Sequence, residues 1–118
     1  MRGKSDENWR VGQRCLAEGD VNAAASRLYY AVFQAVLWYA TCKKGYVRSK
    51  SESAHREMAQ HVWDTGKGRA QYGRSFTKMM ALRVTADYDP ESASLVEMKA
   101  LLADCHATRQ HFLGLVEK

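Results

Sequence analysis

The stretch NAAASRLYYAVFQAVLWYATC, residues 22–42, decides the fold, because drawn as a helix it is apolar around nearly its whole circumference. A helix of this kind is buried on all sides, in the middle of a bundle or in a subunit interface. Asp20 stands before it as a capping residue, and the Lys-Lys-Gly run at 43–45 favours a helix end. We therefore predict a central buried helix from about Val21 to Lys44.

Four amphipathic segments flank the central helix, which is the second of five helical segments along the chain. The first ends at Gly19, and the third opens with Ser49 and Glu52 at the spacing of a capping box. The segments are predicted over about Ser5 to Glu18, residues 48–63, about Arg69 to Ala86 and about Pro90 to Val116. No segment alternates with period two for long enough to form a strand. The sequence predicts one all-α domain over residues 1–118, an up-and-down bundle of four to five helices.

The fourth and fifth segments meet at a corner, LRVTADYDPES, residues 82–92. Pro90 suits a first helical turn, and Asp89 before it suits the cap of that turn. The residues that lead into this corner combine a cation, an anion and a phenol, which are Arg83, Asp87 and Tyr88. We interpret the corner as a helix end that doubles as a candidate site.

Composition places the chain among ordinary globular proteins. Of its 118 residues 46% are apolar and 26% are charged. No apolar run approaches the roughly 18 residues of a membrane span, and the N-terminal MRGKSDENWR is too polar for a secretory signal. The three widely spaced cysteines, an odd number, predict buried reduced thiols. We expect a cytoplasmic protein.

Charge is concentrated in the middle of the chain. Residues 43–83 carry ten basic and three acidic side chains, whereas residues 84–118 carry three basic and six acidic ones. A basic block of this kind attracts phosphates, but it is also found on the solvated faces of helices. Both interpretations stay open from charge alone.

Two polar residues interrupt the central helix. Arg27 and Gln34 are seven residues apart and therefore share one face. An arginine on a buried helix needs an ionic partner or a ligand, and Asp87 is the predicted partner. The pair would either fix how two helices meet or belong to a site.

The other polar side chains do not form a recognisable metal or cofactor site. His55 follows Glu52 in the Glu-x-x-His spacing of di-iron bundles, but the sequence contains no second copy of that pattern. There is no P-loop, and no serine or cysteine has a histidine and an acid at a readable spacing. We expect no cofactor and no metal. His55 is predicted to hydrogen-bond to a neighbouring helix or to support the site at the corner.

Three segments together resemble the HEPN domain family (higher eukaryotes and prokaryotes nucleotide-binding), and its small stand-alone prokaryotic branch in particular. They are AAASRLYYAVFQAV at 23–36, SAHREMAQ at 53–60 and LRVTADYD at 82–89. The resemblance covers about Asp20 to Leu115. Its most specific parts are the Arg-Leu-Tyr-Tyr-Ala-x-Phe and Arg-x-x-Ala-Asp-Tyr signatures in this order.

The resemblance implies a helical bundle that forms a homodimer and often accompanies a nucleotidyltransferase in toxin–antitoxin pairs. Many members of the family are metal-independent ribonucleases with an Arg-x4-6-His motif at this corner, in which the Arg holds the scissile phosphate and the His moves a proton. Counted from Arg83, Tyr88 stands at the position of that His. Tyr has a pKa near 10 and is a poor base at neutral pH.

Two functional hypotheses follow. The first is an RNA- or nucleotide-binding domain, with metal-independent RNA cleavage if it is catalytic. Its reacting residues would be Arg83, Asp87 and Tyr88, and its RNA contacts would be Arg27, Gln34, His55, Arg69, Arg74 and Lys78. The second is a non-catalytic module that binds a partner protein, such as a nucleotidyltransferase able to modify Tyr88.

Overall fold

A computed structural model describes residues 2–47, 53–65, 70–88 and 95–117, without the side chains of Ala70 and of residues 85–88. The prediction of an all-α bundle is confirmed, since these residues form five helices and no strand. The helices are α1 (Arg2–Ala17), α2 (Val21–Lys43), α3 (Ala54–Thr65), α4 (Ala70–Tyr88) and α5 (Leu95–Val116). The capping box at Ser49 and Glu52 and the turn at Asp89 and Pro90 lie outside the described residues.

The central helix lies where the sequence predicts it. The backbone N–H of Ala23 donates to Asp20 Oδ1 over 3.3 Å, which caps the start of α2. Gly19 and Gly45, on either side of the helix, have φ values of +81° and +66°, which glycine adopts without strain. Twelve of the 23 residues of α2 are buried, and α2 packs against each of the other four helices. It is the core of the bundle.

Gly12 lets α1 approach α2 closely. A Cβ atom built at Gly12 would lie 2.7 Å from the side chain of Leu28 and 3.1 Å from its backbone nitrogen. These distances are shorter than ordinary van der Waals contact, so any larger residue must push the two helices apart.

Gly12→Ala is expected to lower the free energy of unfolding by about 1–2 kcal/mol, because overpacking outweighs the better helix propensity of alanine. Urea unfolding measures the change. Gly3→Ala on the same helix is the matched control, since a Cβ at Gly3 meets nothing within 4 Å. Equal stability of the two variants would contradict the close approach of α1 and α2.

The buried arginine of the bundle is Arg109 on α5, which is only 4% exposed. Its Nε donates to Ser5 Oγ over 2.9 Å, and its guanidinium forms an ion pair with Asp6. Ser5 Oγ in turn donates to the carbonyl oxygen of Ala31 over 2.6 Å. Burial lowers the pKa of Arg109, and the charge of Asp6 opposes that shift. This network joins α1, α2 and α5.

The prediction of buried thiols is correct for one cysteine only. All three cysteines are free, but Cys42 is exposed, Cys15 is half-buried and Cys105 is buried. Burial is the main cause that raises the pKa of Cys105 to about 12, and the nearby Asp104 adds to the rise. Cys105 is therefore an unreactive core residue at neutral pH.

Candidate functional site

The packed helices leave one strip of α2 only partly covered. From Ala23 to Thr41, the residues that keep some exposure recur every three or four positions and fall on a single face of the helix. We call this face the open strip, and it consists of Ala23, Ser26, Arg27, Tyr30, Gln34, Trp38 and Thr41. The sequence correctly placed Arg27 and Gln34 on one face.

The expected burial of Arg27 is wrong. Its side chain is exposed, and Nη1 donates to Asn8 Oδ1 of α1 over 3.1 Å. A helix that is apolar on nearly every face does not show which strip its neighbours leave open, and Arg27 lies on that strip. The predicted partner Asp87 belongs to the last turn of α4, and its side chain lies outside the described part of the chain.

Arg83 reaches the open strip from α4 through Tyr30. Arg83 Nη1 donates to Tyr30 Oη over 3.5 Å. The guanidinium carbon lies 5.3 Å from the ring centroid of Tyr29 and 5.7 Å from that of Tyr30, within cation–π range. Arg83 is half-buried, so its charge is held against two aromatic rings at the edge of the bundle.

His55 joins the same two tyrosines from α3. Its Nδ1 lies 2.6 Å from Tyr29 Oη, and the direction of this hydrogen bond depends on the tautomer of the ring. The His55 ring also packs against Phe33, with 4.8 Å between centroids, and against Tyr30 at 6.0 Å. Together, Tyr29, Tyr30, His55 and Arg83 form what we call the polar cluster.

Tyr29 is fully buried, and its chemistry follows from that. Burial raises the pKa of Tyr29 above its ordinary value of 10.0, while the positive charge of Arg83 acts in the opposite direction. The phenol therefore stays protonated at neutral pH. Tyr29 can orient His55 through their hydrogen bond, but it cannot serve as a base itself.

The remaining predicted contacts are not all at the polar cluster. Gln34 lies on the open strip, one turn from Tyr30. Arg74 and Lys78 are exposed, but Arg74 precedes Arg83 by nine residues, so the two point to opposite faces of α4. Arg69 lies outside the described residues, as do the side chains of Asp87 and Tyr88.

Lys78 borders a groove between α4 and α5 instead. The groove has a volume of about 470 Å³, and its wall includes Leu82 and Leu101 together with the acids Glu97 and Asp104. Two carboxylates beside one lysine make a poor environment for a phosphate. The basic residues of α4 are thus divided between different faces of that helix.

Metal-ligand clusters and membrane-spanning helices are both absent from the described residues. Within 2–47, 53–65, 70–88 and 95–117, no three His, Cys, Asp or Glu side chains converge in a way that could hold a metal ion. Glu52, the acid of the Glu-x-x-His pattern, lies outside these ranges. None of the described helices has the length and apolar character needed to cross a membrane.

Comparison of the chain with models of known protein families, with curated proteins and with solved structures finds no match. The function must therefore be argued from the polar cluster and the open strip themselves.

Proposed function

We propose that the chain is a HEPN-like RNA- or nucleotide-binding domain that holds a phosphate at Arg83. The observation that supports this most directly is the convergence of Arg83 and His55, from different helices, on the tyrosine pair beside the open strip. A guanidinium supplies paired N–H donors that match phosphate oxygens. The neighbouring aromatic surface and the exposed Arg27 suit a nucleotide rather than a free anion.

The open strip extends this site along α2. Arg27 and Gln34 flank Tyr30 at three and four residues, so each lies about one turn from it on the same face. In the proposal Arg27 contacts a second phosphate, and the Gln34 amide donates to or accepts from a base or a ribose hydroxyl. The asymmetric charge of the chain, with ten basic residues in 43–83, favours the approach of a polyanion.

The proposal includes metal-independent RNA cleavage, with His55 as the group that moves the proton. The oxygen of an RNA 2′-hydroxyl attacks the adjacent phosphorus, its proton passes to His55, and the bond from phosphorus to the 5′ oxygen breaks. The products are a 2′,3′-cyclic phosphate and a 5′-hydroxyl, whose proton comes from solvent. Histidine is the side chain that most often moves a proton in general acid–base catalysis. Asp87 and Tyr88 remain candidates from the last turn of α4.

A non-catalytic interaction module is the second candidate, and one observation favours it. Arg83 already interacts with the hydroxyl of Tyr30 and with both tyrosine rings. An arginine whose only role is to stabilise the contact between α2 and α4 would make the same interactions. Tyr30 and Trp38 on the open strip would then bind protein. The occupant would be a second copy of the chain, a nucleotidyltransferase, or both, in the cytoplasm.

RNA affinity of the Arg83→Gln variant separates the two candidates. We expect labelled RNA to bind the natural chain, with affinity falling steeply as salt rises, and to bind Arg83→Gln about tenfold more weakly. The salt slope should also decrease by about one unit. Fluorescence anisotropy measures both quantities. Arg10→Gln removes the same charge from an exposed position of α1 and is the control.

The outcomes are distinct when both variants remain folded by circular dichroism. Equal affinities of Arg83→Gln and Arg10→Gln would contradict a phosphate contact at Arg83. Absence of RNA binding by the natural chain would leave the protein-interaction module. Incubation of the same RNA in EDTA then tests cleavage, which we expect His55→Gln to abolish, with a smaller loss of RNA affinity than in Arg83→Gln. Cleavage by His55→Gln at the natural rate would exclude His55 as the proton carrier.

A further inference from the structure

Trp63, near the end of α3, lies with one face of its indole against Gly73 of α4. A Cβ atom built at Gly73 would lie 2.4 Å from both Cδ2 and Cε2 of Trp63 and 2.8 Å from Cε3. Cδ2 and Cε2 form the bond shared by the two rings of the indole. In the ring plane, other ring atoms lie on both sides of this bond, so an atom approaching the edge of the indole would meet those atoms first. A point this close to both atoms therefore lies above the ring, not at its edge. The opposite face of the indole is directed away from Gly73.

Trp63 is 43% exposed, so a large part of the indole beyond its contact with Gly73 is accessible. Gly73 is inside a helix, where glycine is less favourable than alanine. Its φ is not in the positive range that favours glycine, so the backbone alone does not require it. Space for the flat indole does require it. Gly73 therefore weakens α4 at the point where the indole of Trp63 lies flat against it.

Two exposed arginines, one on α3 and one on α4, accompany Trp63. Arg56 lies seven residues before Trp63 on the same face of α3. On α4, Arg74 directly follows Gly73, the residue that the indole contacts. Both arginines are exposed. The nearest acid in sequence, Asp64, accepts a hydrogen bond from Gln60 Nε2 over 2.8 Å. The exposed α4 residues between 71 and 84 whose side chains the structure describes include no acid.

We propose that the outer face of Trp63 stacks on an unpaired base of single-stranded RNA, with Arg56 and Arg74 contacting the adjoining phosphates. An exposed aromatic face with cations on the same helix and on the neighbouring one suits a single strand, because every base has a face to stack and every linkage has a negative charge. This inference rests on the proposed function and narrows its substrate to single-stranded RNA. It adds a contact at the opposite end of α3 from His55, about 12 Å along the helix.

The experiment compares Trp63→Leu with Trp63→Phe in binding to a labelled single-stranded RNA. Both side chains cover Gly73 with similar volume, but only phenylalanine retains an aromatic face. We expect about a tenfold weaker affinity for Trp63→Leu, an intermediate value for Trp63→Phe, and similar melting temperatures. Tryptophan emission should be quenched when RNA binds the natural chain, and the part of that quenching that comes from Trp63 rather than from Trp38 on the open strip should be absent in Trp63→Phe. A duplex of the same length should bind more weakly than the single strand.

The results that overturn the inference differ from those that overturn the proposed function. If Arg83→Gln weakens binding while Trp63→Leu binds as the natural chain does, the stacking role is wrong and the RNA-binding domain stands. Equal losses in Trp63→Leu and Trp63→Phe, or equal affinities for duplex and single strand, would also exclude stacking. If the natural chain binds no RNA, the proposed function and the stacking role are both wrong.

Discussion

Phe33→Ala is expected to lower the free energy of unfolding by about 3–5 kcal/mol, because the ring is fully buried and its removal leaves a cavity. Phe33 lies under the polar cluster, with ring centroids 4.8 Å from His55, 5.9 Å from Tyr30 and 6.0 Å from Tyr29. These neighbours come from two helices whose positions are fixed by other contacts, so they cannot close the space fully. Urea unfolding followed by circular dichroism measures the loss.

Phe33→Leu and Val96→Ala are the comparison variants. Leucine fills most of the space, so we expect a loss of about 1 kcal/mol. Val96 is 77% exposed on α5, and its truncation should change stability by less than about 0.5 kcal/mol. A loss below about 1 kcal/mol in Phe33→Ala would mean that Phe33 does not support the polar cluster as described.

Asp6→Ala is expected to destabilise the protein by about 2 kcal/mol, because it leaves the buried guanidinium of Arg109 without its counter-charge. The Asp6 side chain is 49% exposed, which lets water compensate part of the loss and keeps the effect below that of a fully buried pair. Glu7→Ala is the matched control. Glu7 is the exposed neighbouring acid on the same turn of α1, and its removal should cost less than about 0.5 kcal/mol.

A second substitution tests the same explanation. Arg109→Met removes the buried charge and keeps an unbranched apolar chain over Trp9, whose ring the guanidinium approaches to 5.6 Å. We therefore expect the double variant Asp6→Ala with Arg109→Met to be more stable than Asp6→Ala alone. Strictly additive losses in urea unfolding would contradict an interaction between the two side chains.

The central helix could be predicted from the sequence because its signals agree. Its apolar run, the cap at Asp20 and the glycines at 19 and 45 all indicate the same element, and the structure places α2 within one residue of the prediction. Boundaries of the outer helices were less accurate. α1 begins at Arg2 rather than near Ser5, and α4 continues to Tyr88 rather than ending near Ala86. Exposed helix ends depend on weak local preferences.

Arg27 and Arg109 show that a sequence pattern alone does not decide which arginine is buried. Arg27 lies in a strongly apolar helix and is exposed, whereas Arg109 lies in a mixed segment and is buried. Burial depends on which strip of each helix its neighbours cover, and that follows from packing rather than from local composition. The network of Ser5, Asp6 and Arg109 joins residues more than a hundred positions apart. No short-range signal identifies such a pairing.

The sequence marks two of the four residues of the polar cluster, Arg83 and His55, as candidates. It does not predict that they meet at Tyr29 and Tyr30, since aromatic residues of a bundle are usually core. The pair of adjacent tyrosines was the available signal. Side chains at neighbouring helix positions point about 100° apart, so Tyr29 and Tyr30 cannot both point to the centre of the core. Tyr30 is the one that reaches the open strip.

The most direct test of the central claim is an NMR titration of the natural chain with a short single-stranded RNA. The signals to follow are the Arg83 Nε–H group and the ring of His55. We expect both to shift as RNA is added, with the same dissociation constant as the backbone amides of Arg27 and Gln34. RNA binding that shifts other residues and leaves Arg83 and His55 unchanged would contradict a phosphate site at the polar cluster.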